Sequence, residues 1–546
     1  MDWRHGATAR RILASETGVI LRDWGGRVPI VLAYPNSYAV GMASLAIHSL
    51  YRWFNALPGV VCERAFASLG AQDASAEPLV TLESQRPVAE AAVLAFSLSF
   101  ELDYGNVLAM LRRAKIPLRA AERGQRDPLV LLGGPAISAN PEPLAFVADA
   151  IVIGEAEALL GDLLACVGEG RARQAVLEEW ARLPGVYVPL LHRGETVRRQ
   201  WLANLDDYPT ASSIVAPLAQ FGDMHLIEIS RGCGRGCRFC LAGYWYRPPR
   251  ERSLGLILDQ AREGLAHRQR IGLVAAAVSD YSQIDTLVVG LRRLGAKISV
   301  SSLRVAPLGE TLLQALAESG ARSLTLAPEA GSERLRRRIN KGVTHDAILR
   351  AAGLAAHYGF ETLKLYFMVG LPGEEDEDIA QLIALVQEVQ AVFARKVTVN
   401  VTPFVPKAHT PFERVELAPL EVVRARLRRI QQGLRAARVA VQAEPVEEAR
   451  LQAILARGDR RVGAALEGLP QVSLAALARA LERQGVDVEE YLRARAPEAP
   501  LPWDFITSGV SADYRQREWR RSLEAEPTAC CTQGCSRCGV CGAGEE

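Results

Sequence analysis

Short apolar runs alternate with amphipathic stretches through the first third of this chain. Val28–Tyr34, Val93–Ser99, Leu129–Gly133 and Ala150–Ile153 are continuous enough to predict buried strands. Gly41–Asn55 and Tyr104–Arg113 place apolar residues three and four apart and predict helices between them. That order predicts parallel βαβ units, so residues 1–170 are expected to form a Rossmann-like, doubly wound α/β sheet. Ligands of such sheets bind beyond the carboxyl ends of the strands. Three loops lie there: Pro35–Gly41, Ser97–Tyr104 and Gly133–Asn140.

Residues 171–221 read as a linker. Strand and helix alternate again from 222 to 415, with His225–Ser230 as a strand. Past 416 the chain turns helical and Arg-rich. Glu421–Arg438 is amphipathic, Arg438–Glu444 reads as one more strand, and 446–495 as several short helices. Residues 416–500 are thus a mainly helical C-terminal region, and 501–546 a Cys-rich tail.

At 546 residues the chain is too long for one core. With 49% hydrophobic and 23% charged residues it has the composition of a globular protein, and a net charge of +2 gives no global basic field. No run reaches the ~18 apolar residues of a membrane span. Met1–His5 lacks the apolar core of a secretory signal, so the expected compartment is the cytoplasm. Eight of the ten cysteines bunch into two groups, while Cys62 and Cys166 stand alone as small core residues. Disulfide frameworks scatter their cysteines and metal sites bunch them.

The first group is Arg231-Gly232-Cys233-Gly234-Arg235-Gly236-Cys237-Arg238-Phe239-Cys240, with a C-x3-C-x2-C spacing. Three thiolates this close can hold three corners of a [4Fe–4S] cluster and leave the fourth iron open to a small molecule. A zinc knuckle would need a fourth ligand, and none lies nearby in sequence. The second group is Cys530, Cys531, Cys535, Cys538 and Cys541. Cys531-x3-Cys535-x2-Cys538-x2-Cys541 supplies four thiolates, enough for a fully ligated second [4Fe–4S] cluster or a tetrahedral zinc, with Cys530 spare or alternative.

The first motif resembles that of the radical S-adenosylmethionine (SAM) enzymes, and later landmarks extend the resemblance. It implies a partial (βα)6 barrel over 222–415 and a catalytic cluster on Cys233, Cys237 and Cys240 whose open iron is chelated by SAM. Phe239 stands before the last cysteine. Leu273–Asp280 occupies the position of the family's G-G-E strand end, with Ser279 and Asp280 as acceptors for the SAM amino group. Ser302 and Arg304 end another strand, where Arg304 would pair with the SAM carboxylate. Leu326–Ser332 resembles the G-x-E-S-G-S turn and puts Glu329 near the ribose or amino group. Tyr366–Glu374 resembles the adenine-side motif, with Gly370 and Pro372. Val401–Phe412 closes the barrel and makes Lys407 and His409 either substrate-side residues or part of a rigid connector.

The stretch Gly133–Pro143, with Asp149 and Gly154–Glu157, is similar to the cobalamin-binding-type domain found ahead of many radical SAM cores. Asn36, Tyr38, Gly41, Ser97, Ser99, Gly133 and Gly134 are its cofactor-side candidates. The family's cobalt-ligating D-x-H-x-x-G has become Asn36-Ser37-Tyr38-Ala39-Val40-Gly41 here, so a lower histidine ligand is missing. Cobalamin bound without that ligand, a pocket turned to substrate or partner, and a pure scaffold are all consistent with the residues. The resemblance implies an oxygen-sensitive enzyme that cleaves SAM and functionalises an unreactive C–H bond. Cobalamin-dependent methyl transfer is the leading reaction, a methylthiolation-like modification of RNA is the alternative, and an iron–sulfur electron carrier or scaffold is the non-enzymatic reading. The expected partners are a low-potential donor such as flavodoxin or ferredoxin and a substrate that is a small molecule, a peptide or RNA.

Overall fold

The computed structural model describes residues 3–70, 78–168, 170–532 and 535–541; Met1 and Asp2 of the N-terminal stretch lie outside them. The first sheet runs Val60–Ser68, Val28–Ser37, Val93–Ser97, Leu129–Gly133, Ala150–Val152 and Val186–Tyr187. The first five strands are parallel and the last antiparallel. Chain order reverses between Val28–Ser37 and Val93–Ser97, which is the topological switch point of a doubly wound sheet.

Two expectations are corrected here. Val60–Ser68 was not foreseen as a strand because Glu63 and Arg64 interrupt its apolar run. Both are buried, and the Arg64 guanidinium meets Glu16 at 2.6 Å and Glu83 at 2.7 Å. The stretch 171–221 is not a simple linker: it carries the helix Arg173–Trp180, whose Trp180 is fully buried, and the strand Val186–Tyr187 that extends the sheet.

One face of this sheet packs on the helix Leu45–Ala56 and on Trp180. The other, through Val31, Leu94, Phe96, Val130 and Leu132, shares a core with Ile454, Leu466, Leu477 and Leu481. The C-terminal helices Val446–Arg457, Arg460–Glu467 and Leu474–Arg483 therefore roof the first sheet rather than form a body of their own.

The second unit has six parallel strands in barrel order: Met224–Glu228, Arg270–Val274 and Lys297–Val300, then Ser323–Glu329, Thr362–Val369 and Lys396–Pro403. A bridge from Leu303 to Leu326 joins the two halves, and Ala440–Ala443 adds a seventh strand at the edge. Helices between the strands cover the outside. Along Thr362–Val369, Leu363, Leu365, Phe367 and Val369 are buried against those helices. Lys364 and Tyr366 fall on the opposite, lumenal face and are exposed. Among the described residues no helix is long and apolar enough to cross a membrane.

Candidate active site

The cysteine loop follows the first barrel strand, and its take-off is fixed by buried charge. Arg231 meets Glu157 at 2.6 Å, Glu155 at 2.9 Å and Glu228 at 3.0 Å. Arg250 grips Glu155 through both carboxylate oxygens, at 2.7 and 3.0 Å, and Arg252 closes on Glu228. Mutual compensation lets these charges stay ionised away from water. Glu155 and Glu157 come from the first unit, so the network also docks that unit to the barrel. Gly232 then turns the chain with φ +84°, and a Cβ there would lie 2.2 Å from the Tyr246 carbonyl oxygen.

Cys237 is buried, and Cys233 and Cys240 are half-buried. Burial pushes the Cys237 thiol up against the pull of Lys341 and Arg304, and burial with Cys237 alongside pushes Cys240 up to about 12. Thiols held protonated in this way ionise on metal binding, with proton release. Among the described residues no three His, Cys, Asp or Glu converge on a single-ion geometry.

Arg304 and Glu329, both expected from the sequence, lie beside the Cys237 thiol. Glu329, at φ +69°, accepts from Lys341 Nζ at 2.9 Å. Arg304 donates from Nε to the Ala306 carbonyl at 3.3 Å. Ser279 is buried, and its hydroxyl has no hydrogen-bond partner. Asp280 is a correction. Both its oxygens are taken by Arg235, at 2.6 and 2.8 Å, so it ties down the cysteine loop instead of standing ready for an ammonium group. Ser302 is exposed. Phe239 packs with Leu371, Phe404 and Phe412. Gly370 takes φ +83°, donates its N–H to Glu374 at 2.7 Å, and leads into Pro372.

In the first unit the structure separates scaffold from edge. Tyr38 is buried, gives its hydroxyl to Glu16 at 2.7 Å, and packs edge-on to Phe66 with 5.3 Å between ring centroids. A Cβ on Gly41 would lie 2.6 Å from that Phe66 ring, and one on Gly134, at φ +107°, 2.4 Å from the Leu98 carbonyl oxygen. Expected as cofactor contacts, these three serve packing. Ser97 is buried at its strand end. Asn36 is held by Asp103 at 3.0 Å, Gly133 is half-buried, and Ser99 and Phe100 are exposed on the carboxyl edge. No His or Cys occurs in the three edge loops. His48 is a satisfied core residue: Nε2 faces the Met42 carbonyl at 3.0 Å while Nδ1 accepts from Ser213 and Ile214. Lys407 pairs with buried Glu101 at 2.6 Å and His409 Nε2 meets the Ala139 carbonyl at 3.1 Å. Both side chains are thus tied to the first unit, Lys407 through Glu101 and His409 through the Ala139 carbonyl.

The tail folds over the cysteine loop. The Cys531 N–H donates to the Gly234 carbonyl at 2.6 Å, and Arg235 reaches Cys530 Sγ at 3.5 Å. Fully buried Arg238 donates to Glu518, to the Glu526 carbonyl and to Thr528 of the tail. Cys538 is buried beside Tyr244 and Tyr514, and Arg537 donates to Cys535 Sγ at 3.1 Å. Cys233, Cys530, Cys531 and Cys541 line one cleft of about 1040 Å³. Sequence reasoning missed Lys341, Asn340, Arg238 and the glutamate–arginine network, since isolated charges carry no signal until partners are known.

The chain matches the family model for radical SAM proteins, N-terminal, over residues 46–189 and that of the Radical SAM superfamily over residues 227–386. An uncharacterised protein of Methanocaldococcus jannaschii is 33% identical over 445 residues, covering 80% of this chain and 90% of the relative. A tRNA-2-methylthio-N(6)-dimethylallyladenosine synthase of Pelotomaculum thermopropionicum is 24% identical over 256 residues, covering 43% of this chain and 54% of that protein. Among solved structures, the cobalamin-dependent S-adenosylmethionine radical enzyme OxsB, with aqua-cobalamin and S-adenosylmethionine bound, shares the fold. The TM-score is 0.51 at 12% identity, over 91% of this chain and 79% of that one. With both family models matched in order and a relative at one-third identity over most of its length, the chain belongs to the radical SAM superfamily.

Proposed function

We propose that Cys233, Cys237 and Cys240 hold a [4Fe–4S] cluster with one iron open to SAM, and that the substrate carbon enters the barrel lumen. The observation that carries this is the gathering of the three thiols with Arg304, Glu329 and Lys341 beside a lumen left open at Lys364 and Tyr366. When bound, cluster and SAM together supply reductive cleavage and hydrogen-atom abstraction. The chain's own residues hold and orient. The Arg304 guanidinium, engaged among the described residues only at Nε, by the Ala306 carbonyl and by Asp280 at 3.8 Å, presents its remaining N–H groups to the SAM carboxylate. The unpartnered Ser279 hydroxyl and the Glu329 carboxylate are acceptors for its amino and ribose groups. Phe239, Gly370 and Pro372 flank the adenine, and Asp280 and Ser302 border the site.

For the first unit, Tyr38 faces the core and no loop offers a cobalt ligand, so cobalamin ligated from below does not fit. The reading retained is cobalamin resting on the open edge at Asn36, Ser99 and Gly133 without a lower ligand from the chain, with C-methylation as the overall reaction. The fold shared with OxsB supports it. A methylthiolation-like modification of RNA is the second reading, favoured because the tail thiols open into the same cleft as Cys233. Cys531, Cys535, Cys538 and Cys541 are assigned a second [4Fe–4S] cluster, with zinc as the rival. A cytoplasmic flavodoxin or ferredoxin is the proposed reductant.

Anaerobic reconstitution with hydroxocobalamin tests all of this. About eight irons per chain mean two clusters, and about four with one zinc leave the tail to zinc. Retained stoichiometric cobalt supports methyl transfer, and its absence moves the assignment to the second reading. The wild type should convert SAM to 5′-deoxyadenosine. A Cys240→Ala variant that still does so would overturn the site, and a wild type that never does would leave an electron carrier.

A further inference from the structure

A second cavity, of about 720 Å³, lies between the barrel and the tail helix Ala512–Leu523, adjoining the cysteine loop, whose Arg238 donates to the Arg338 carbonyl at 2.9 Å. Its wall includes Gly373 and Arg338 on the barrel side, Arg495 on the segment before the tail, and Trp519 and Arg520 on the tail helix. Arg338 lies directly against Gly373, where a Cβ would come within 2.3 Å of its Cζ.

The guanidinium groups here are under-used. Among the described residues Arg338 donates no hydrogen bond, and its Nε is buried without a partner. Arg495 spends Nη2 on the Arg457 carbonyl at 2.8 Å, while its Nη1 is buried and unpaired. Among the described residues the Arg520 side chain makes neither a hydrogen bond nor an ion pair, and it is exposed. The carboxylate nearest the cavity floor, Glu413, is already taken by Arg515 at 2.9 Å and Trp503 at 3.1 Å. Glu416, Glu498, Asp504 and Asp513 also line it and are exposed. Burial, with Arg334 beside it, holds Arg338 below the usual arginine range, against the smaller opposing pull of Glu375 and Asp378.

A buried N–H left without an acceptor costs about 1–3 kcal/mol, and native structures rarely tolerate two in one cavity. Arg338, which lines the cavity and makes no side-chain hydrogen bond among the described residues, leaves its Nη groups for an acceptor from outside. One carboxylate is saturated by one arginine fork, whereas three guanidinium groups approaching from three segments suit the oxygens of a phosphate. Trp519, packed on Phe412 with 5.8 Å between ring centroids and lining the same cavity, adds an aromatic surface on which a base can stack.

We propose that this cavity binds the phosphate of a nucleotide, held by Arg338, Arg495 and Arg520 with the base against Trp519. Pro372, placed above beside the adenine of SAM, also lines this cavity, whereas none of the three cluster cysteines does, so the cluster assignment and this one can fail separately.

The test is calorimetric titration of the reconstituted full-length protein with UMP, uridine and inorganic phosphate. A uracil nucleotide keeps the adenine site of SAM out of the readout. UMP should bind and uridine should not. Arg338→Gln and Arg520→Gln should each weaken UMP by about tenfold or more, the loss of one charge-assisted contact. Arg429→Gln, on an exposed helix face, should change nothing. Arg520 is exposed, so its variant keeps the fold and the result stays readable if Arg338→Gln unfolds. Phosphate binding as tightly as UMP would overturn the nucleotide assignment. No UMP binding, or equal binding by all variants, would overturn the site.

Discussion

Asn340 is the test of whether the tail and the cysteine loop form one mechanical unit. Its side-chain amide donates toward the carbonyls of Arg235 (3.3 Å), Gly236 (3.1 Å) and Thr528 (3.3 Å), and its oxygen accepts from the Thr528 N–H at 3.0 Å. The residue is buried and sits at φ +53°, a region asparagine tolerates better than alanine. Two amide hydrogens and one acceptor make about three effective bonds, at about 1 kcal/mol each, so Asn340→Gly should loosen this junction by about 3 kcal/mol. Asn340→Ala adds about 1 kcal/mol for an L side chain at positive φ. Amide hydrogen exchange of peptides spanning 233–241 and 526–532 reads the loss locally. Protection should fall on the order of a hundredfold in Asn340→Gly and about fivefold further in Asn340→Ala. The strand Thr362–Val369 should keep its protection. Unchanged exchange at both junction peptides, or an equal rise in that reference strand, would refute the idea of a local clamp.

Other consequences are separable. Burial pushes the Glu374 carboxyl up to about 7 although Gly370 and Arg426 bond it. Its folded-state value lies above the unfolded one, so its contribution is complete below about pH 4.5 and is lost as pH rises through about 7. Denaturant midpoints should therefore show the wild type losing about 3 kcal/mol against Glu374→Gln between pH 5 and 8; parallel curves would contradict this. Gly41→Ala should destabilise by about 1–3 kcal/mol through the clash with Phe66, without changing iron content. A normal melting temperature would return Gly41 to the cofactor edge. Arg250→Met leaves buried Glu155 with Arg231 as its remaining ion-pair partner and should cost about 3 kcal/mol. Iron retention should fall with it, because Arg231 leads into the cysteine loop; iron retained at the wild-type rate would separate network from loop.

The strands Leu129–Gly133 and Ala150–Val152, the helix Tyr104–Arg113 and the barrel's alternation were legible because hydrophobic periodicity is a local property. The cysteine triplet was legible for the same reason, since three cysteines within eight residues share one loop whatever surrounds them. Val60–Ser68 was hidden because Arg64 looks solvated until Glu16 and Glu83 arrive from distant segments. The same holds for Asp280, whose partner Arg235 is 45 residues away, and for Lys407, whose partner Glu101 lies in the first unit. The side-chain direction of Tyr38 depended on Phe66 and Glu16, which no spacing rule connects to it.

The sequence by itself determined the α/β class, the strand–helix alternation of the barrel, the cysteine triplet and the absence of a histidine from Asn36–Gly41. Each follows from residues near one another along the chain. The tertiary structure alone decided that the C-terminal helices roof the first sheet, that the tail clamps the cysteine loop through Asn340 and Arg238, and that Tyr38 faces the core. Those outcomes depend on which charge meets which partner across hundreds of residues. The energy of such a pair is set by burial and distance, neither of which a linear pattern contains.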